Sequence, residues 1–199
     1  KQGQGIETLP SGLVYNGEFV NNLWHGQGEI TYSDGAFFKG EFKEGLEHGQ
    51  GKITYADGSG YEGEHKYGKH SGYGIIFYLN DYAIYDGEVL DGLKQGQGVM
   101  TWRSGSEYKG EWKDNQEHGQ GKKTFLSGDT YDGQWQKGMM HGYGVYLYPD
   151  GARFRGEWEY GKQSGKGLMI NADGSFHKGQ YKNGKRNGQV ISRWPSGMS

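Results

Sequence analysis

Cysteine is absent from the 199 residues, which excludes disulfides, thiolate catalysis and Cys-based metal sites. Helix signals are missing as well. No apolar run is long enough to span a bilayer, and no signal peptide precedes the first ordered motif. The formal net charge is only −2, so there is no global pull toward nucleic acid or an anionic membrane. The chain starts at Lys1 rather than Met, as expected of a fragment cut from a longer protein, and its composition reads as cytoplasmic. Aliphatic side chains are scarce, with a hydrophobic fraction of 32%, yet aromatics reach 15%. Whatever is buried must therefore be buried by rings. The other abundance is glycine: forty residues, against three prolines.

The glycines keep time. In the phrase Tyr-x-Gly-Glu they fall at Gly17, Gly40, Gly63, Gly87, Gly110, Gly133, Gly156 and Gly179, at intervals of 23 residues with a single 24. A second phrase, His-Gly-x-Gly, recurs on the same beat from Gly3 to Gly188. Such a period marks a repeat array. The repeats run 15–37, 38–60, 61–84, 85–107, 108–130, 131–153, 154–176 and 177–199, after a partial repeat in 1–14, and together they make one array domain over 1–199.

Each unit reads as two short strands and two turns. Tyr108-Lys109-Gly110-Glu111-Trp112 alternates ring and polar residue about a central glycine, and Gly28-Glu29-Ile30-Thr31-Tyr32 alternates in the same way. Period two is the half-buried strand pattern. One face thus collects three ladders of rings: one from Tyr15 to Phe154, ending in His177; one from Phe19 to Tyr181, broken by His65 and Val89; and one from Tyr32 to Trp194, broken by Asn171. Between units stand turns such as Pro10-Ser11-Gly12, Ser33-Asp34-Gly35 and Pro195-Ser196-Gly197, where a type I turn closes on a left-handed glycine. Within units one slot holds only Gly or Asn, as at Asn22, Gly45 and Asn115, which calls for positive φ. In-strand glycines give adjacent rings room to lie across the backbone. The fold class that follows is all-β: an elongated, single-layer antiparallel sheet of consecutive β-hairpins, a twisted ribbon with a ring-lined groove.

Tyr-x-Gly-Glu-(Phe/Trp)-x-x-Gly-x-x-His-Gly-x-Gly on a 23-residue beat resembles the MORN (membrane occupation and recognition nexus) repeat, over essentially the whole chain. The resemblance implies the same hairpin sheet. It also implies a functional range that takes in cytoskeletal and membrane-associated scaffolds, among them a dimeric protist cytoskeletal protein, and regulatory segments of lipid kinases and a lysine methyltransferase.

Three patterns invite a chemical reading. The carboxylate ladder Glu18, Glu41, Glu64, Glu88, Glu111 and Glu157 could offer an acid–base pair, but it recurs in every unit and accepts Gln134 and Gln180, which favours a hydrogen bond bracing a turn. The ladder His25, His48, His118 and His141 could bind metal, but neighbours two strands apart share a zinc poorly and the slot also takes Ser71, Gln95, Ser164 and Asn187. Turn hydrogen bonding is again expected. Gly-x-Gly lacks the helix a phosphate cradle needs. No enzyme activity, cofactor or metal is therefore expected.

The interaction candidates are these. Tyr15, Phe19, Tyr108, Trp112, Tyr131, Trp135 and Trp158 line the groove. Three units are apolar in slots that are polar elsewhere: the 61–84 unit, with its inserted residue, Tyr82 in the turn, and Ile75 and Phe77; then Val145 with Leu147, and Leu168 with Ile170. A partner surface and looser local packing both account for them. From Ser175 to Ser199 there is no acid, while Lys178, Lys182, Lys185, Arg186 and Arg193 are basic beside Trp194 and Met198. An acidic partner, anionic lipid and plain solvated turns all remain open there. The final strand is apolar, so a homodimer is expected through Leu168, Ile170, Tyr181, Val190, Ile191 and Trp194. The expected function is a self-associating, non-enzymatic scaffold that binds a cytoskeletal or membrane-associated protein at the cytoskeleton or the inner face of a membrane. The alternatives are an anionic phospholipid (phosphoinositide) module, or a regulatory segment of a larger enzyme. Nucleic acid is not an expected partner.

Overall fold

The computed structural model describes residues 1–194. Its contacts gather into two compact units, Lys1–Arg103 and Ser104–Ser199. The first holds β1 (Gly3–Thr8), β2 (Val14–Val20), β3 (Leu23–Thr31), β4 (Phe37–Lys43), β5 (Leu46–Thr54), β6 (Gly60–Lys66), β7 (Lys69–Tyr78), β8 (Ala83–Leu90) and β9 (Leu93–Thr101). The second holds β10 (Glu107–Lys113), β11 (Gln116–Thr124), β12 (Thr130–Gln136), β13 (Met139–Leu147), β14 (Arg153–Glu159), β15 (Lys162–Ile170), β16 (Phe176–Lys182) and β17 (Lys185–Arg193). In each unit every strand pairs antiparallel with the next, and no helix occurs among the described residues. The all-β hairpin sheet expected from the sequence is the one observed. The turn Pro195-Ser196-Gly197 and Met198 lie outside the described residues.

The core is a ring laid over glycine. Gly17 of β2 faces Gly28 of β3, and the Tyr15 ring lies across both. A Cβ on Gly17 would come within 2.5 Å of the Tyr15 hydroxyl and 2.6 Å of the Gly28 backbone. The hydroxyl donates to the carbonyls of Glu18 (2.8 Å) and His25 (3.4 Å). Tyr61, Tyr85, Tyr108 and Tyr131 repeat the arrangement. Tyr15, Tyr108 and Tyr131 meet second-ladder rings edge-on in their own repeat and the next: Tyr108 lies 5.1 Å from Trp112 and 5.2 Å from Trp135. The ring quadrupole favours this arrangement. His65 and Val89, which interrupt the second ladder in sequence, are nonetheless buried in it.

The turns within repeats carry positive φ at both central residues, as in Glu44-Gly45, Tyr67-Gly68 and Lys137-Gly138. That is the type I′ hairpin, whose twist matches the flanking strands. The Gly/Asn slot was visible in the sequence. Its neighbour was not, because Glu, Tyr and Lys give no sign of a left-handed backbone. Within each unit these turns also bond to the previous repeat, as Gly45 N–H does to the Trp24 carbonyl at 2.8 Å and Gly138 N–H to the Glu117 carbonyl at 2.9 Å.

Candidate interaction surfaces

The repeating polar residues are committed to the backbone. The ladder skips register at Gly17/Glu18, so Gly26 and Gln27 bulge away from β2. The Glu18 carboxylate fills the space beside Gly26 and accepts the Gln27 N–H at 3.1 Å. Glu41, Glu88, Glu111 and Glu157 take the equivalent N–H, and Gln134 does so through Oε1 at 2.9 Å from Tyr143 N. A bulge orphans backbone donors, and one acceptor oxygen is all the slot requires. Glu111→Gln should therefore cost under about 0.5 kcal/mol in urea unfolding, whereas Glu111→Ala should cost about 1–2 kcal/mol, because the Gln120 N–H loses its acceptor.

The histidine ladder needs a correction. The carbonyls of His25, His118 and His141, not their imidazoles, receive the tyrosine hydroxyls, and Ser71 and Gln95 serve the same way. A backbone role explains why the slot tolerates so many side chains. His48 Nδ1 is buried without a partner. Among the described residues no cluster of three or more potential metal ligands occurs.

The seven groove residues, Tyr15, Phe19, Tyr108, Trp112, Tyr131, Trp135 and Trp158, lie between 0% and 6% exposed. They are core rather than a free groove wall, because the rings close over one another and over the glycine backbone. The more accessible part of the ring side is a rail above them, formed by the third ladder and a further slot in which Glu47 and Lys94 are themselves buried. That slot precedes the His position and changes chemistry in each repeat: Trp24, Glu47, His70 and Lys94 in the first unit, then Glu117, Met140, Gln163 and Arg186 in the second. Third-ladder rings hold it from the repeat before. Tyr32 donates a short hydrogen bond to Glu47, Tyr55 meets His70 Nε2 at 3.3 Å, Lys94 Nζ lies 5.4 Å from the Tyr78 ring, and Gln163 donates to the Tyr148 hydroxyl at 3.3 Å. Burial pushes the Glu47 carboxyl upward, against the Tyr32 bond that lowers it. Trp24 stacks on Tyr15 at 4.7 Å and His70 on Tyr61 at 4.0 Å. The slot leaves no periodic signal in the sequence, because from Trp24 to Arg186 no residue type recurs in it apart from Glu47 and Glu117.

The six residues expected at a dimer interface do not share one surface. Leu168, Ile170 and Ile191 lie on the outer face, away from the rings, whereas Tyr181 is buried and Val190 faces the ring side opposite Gly179. Trp194 also lies on the ring side, edge-on to His177 at 5.7 Å. The basic set divides too. Lys178 and Arg193 are on the outer face, Lys182 and Lys185 flank a turn, and Arg186 reaches His177 at 3.4 Å. Alternate side chains on a strand point to opposite faces, so clusters in sequence are split by the pleat. Val190 stands where earlier repeats have the second glycine, and His177 where they have the ring, so the last hairpin lacks the ring-over-glycine lock.

Comparison with known proteins gives the following. The model of the MORN repeat family matches residues 15–37, 38–60, 85–107, 108–130, 131–153, 154–176 and 177–199. Residues 1–14 and the 61–84 unit, which has the inserted residue, are unmatched. No curated protein matches the chain. Among solved structures, the TCP domain of Drosophila melanogaster SAS-4 (dCPAP), in complex with a proline-rich motif of Ana2 (dSTIL), is similar at 10% identity, with 89% of this chain and 90% of that one covered and a TM-score of 0.50. The TCP10 domain of Danio rerio CPAP, in complex with a peptide of Danio rerio STIL, aligns at 12% identity over 96% of this chain and 99% of that one, with a TM-score of 0.33.

Proposed function

The chain belongs to the MORN repeat family, and from that premise we propose that it is a non-enzymatic protein-interaction array that receives an extended, proline-containing segment of a partner along its ring side. The observation that carries this reading is the rail: a row of tyrosines and other rings, broken at Asn171, beside a slot whose residue changes from one repeat to the next. A recurring row supplies affinity and a changing one supplies register, while the polar residues that could do chemistry are spent on bracing bulges. The spacing supports the same occupant. Equivalent rings two strands apart are about 9.6 Å apart. A polyproline II segment rises about 9.3 Å per three-residue turn, so a segment crossing the strands sets every third residue on a new ring. Prolines dock on aromatic rails because the segment is already ordered. The similar fold of the Drosophila domain in complex with a proline-rich motif agrees with this use of the sheet. A cytoskeletal partner belongs to the same proposal.

A peptide-display selection tests it. Recovered peptides should be enriched in prolines three residues apart, and Tyr32→Ala/Tyr55→Ala should weaken their binding at least about tenfold, a loss of roughly 1.4 kcal/mol. Peptides without proline enrichment, or binding unchanged in the double variant with its strand signal intact, would remove the rail from consideration.

A further inference from the structure

The two units carry opposite charge. Residues 1–103 hold eight basic and fourteen acidic residues, a net of −6, and residues 104–199 hold fourteen and ten, a net of +4. The outer faces concentrate this difference into matching stripes. Across β6 to β9 the cross-strand partners run Glu62, Ile75, Asp86, Val99. Across β14 to β17 they run Arg155, Leu168, Lys178, Ile191. Strand for strand, one stripe reads acid, aliphatic, acid, aliphatic and the other cation, aliphatic, cation, aliphatic, both with a step of about 4.8 Å.

The charges flanking each stripe are mostly of its own sign, although Glu157, which accepts the Lys166 N–H, follows Arg155 on the outer face of β14. Glu64 and Glu88 flank the first, with Tyr73 and Ile84 exposed beside it, and the cations of that face, Lys66 and Lys69, stand at the turn joining β6 to β7, where Lys69 pairs with Asp91 at 3.3 Å. Arg153 and Lys166 flank the second, which borders a shallow cleft of about 500 Å³ lined by Tyr143, Leu168 and Ile191 among others. Among the described residues, Arg153, Arg155, Lys166 and Lys178 form no ion pair, although elsewhere on the outer face Lys39 holds Glu29 at 2.9 Å. Asp86 Oδ1 is buried with no hydrogen-bond partner. Glu62 is paired with Lys52, but both are more than half exposed, and such a pair exchanges at little cost.

We propose that the outer face of β6–β9 is the docking surface for the outer face of β14–β17 of a second copy of this chain. In register, Glu62 meets Arg155, Ile75 meets Leu168, Asp86 meets Lys178 and Val99 meets Ile191. Two sheets packed face to face lie about 10 Å apart, which suits interdigitated side chains of these sizes. Aliphatics that a single-layer sheet leaves in water are covered, and each charge finds its opposite. A stripe of one sign on both surfaces would forbid the pairing; this one specifies it. The surface is separate from the ring side, so its fate does not depend on the partner proposed there.

Charge swaps decide the matter. Light scattering coupled to gel filtration at low salt should give a mass at least twice that of one chain, falling toward one chain as salt is raised. Glu62→Lys/Asp86→Lys and Arg155→Glu/Lys178→Glu should each reduce the mass to that of one chain, and an equimolar mixture of the two variants should restore association through their complementary faces. A wild type that stays a single chain, or reversals that leave its mass unchanged, would overturn the proposal. So would reversals that abolish only sedimentation with phosphatidylserine vesicles, which would assign the basic face to a membrane.

Discussion

Gly110→Ala should cost about 3–5 kcal/mol in urea unfolding, as much as removing a core ring. The added methyl would lie 2.5 Å from the Gln120 carbonyl oxygen and 2.5 Å from the Gly121 Cα. Both belong to the backbone of β11, which cannot yield without breaking the ladder. Tyr108→Ala should cost a similar amount through the cavity it leaves. Tyr108→Phe should be much milder, about 1 kcal/mol, since only the hydroxyl bonds to Glu111 and His118 are lost and Phe38 and Phe154 already fill equivalent positions. The order of the three variants is the test. A Gly110→Ala chain as stable as the parent would mean the ring does not seal the strands together.

Acid should destabilise the first unit well before ordinary carboxylates titrate. His65 sits in the second ladder at 3% exposure with Nε2 unpartnered, 5.2 Å from the His70 ring. Burial lowers the His65 pKa, and burial together with the neighbouring His65 lowers that of His70 to about 4. A histidine whose folded pKa is depressed binds fewer protons folded than unfolded. Its contribution is therefore complete above the unfolded value near 6.5 and is lost as pH falls toward the folded value. The loss between pH 7 and 4 should be on the order of 2 kcal/mol, reduced from the full linkage value because His70 keeps some exposure. Glu47 acts in the opposite sense, since its raised pKa favours the protonated carboxyl in the fold. Asp57 and Asp173, held low by Ser59 and Ser175, matter only below about pH 4. Urea unfolding at pH 7.5, 5.5 and 4.5 should thus show a slope that His65→Phe flattens and Glu47→Gln steepens. If His65→Phe kept the full acid sensitivity, the buried pair would not be its source.

The local devices were legible wherever one residue type is forced by one geometry. The glycine beat marked the hairpins because only glycine lets a ring lie on the backbone, and Gln134 in a glutamate slot revealed that the slot needs an acceptor and not a charge. The rail was illegible for the converse reason. Trp24, Glu47, His70 and Lys94 share a place but no chemistry, so periodicity could not find them. The carbonyls of the histidine ladder were hidden too, since a backbone role leaves no preference in the side chain.

The sequence by itself determined the strand count per repeat, the turn positions and the identity of the buried rings, because period-two alternation and the steric limits on φ act within a few residues. Only the tertiary structure decided which side chains share a surface. Residues adjacent in the chain, such as Val190 and Ile191, were sent to opposite faces by the pleat, while Arg155, Leu168, Lys178 and Ile191 were brought into one row by pairing across four strands. Surfaces on a sheet are written across the strands, at right angles to the direction in which the chain is read.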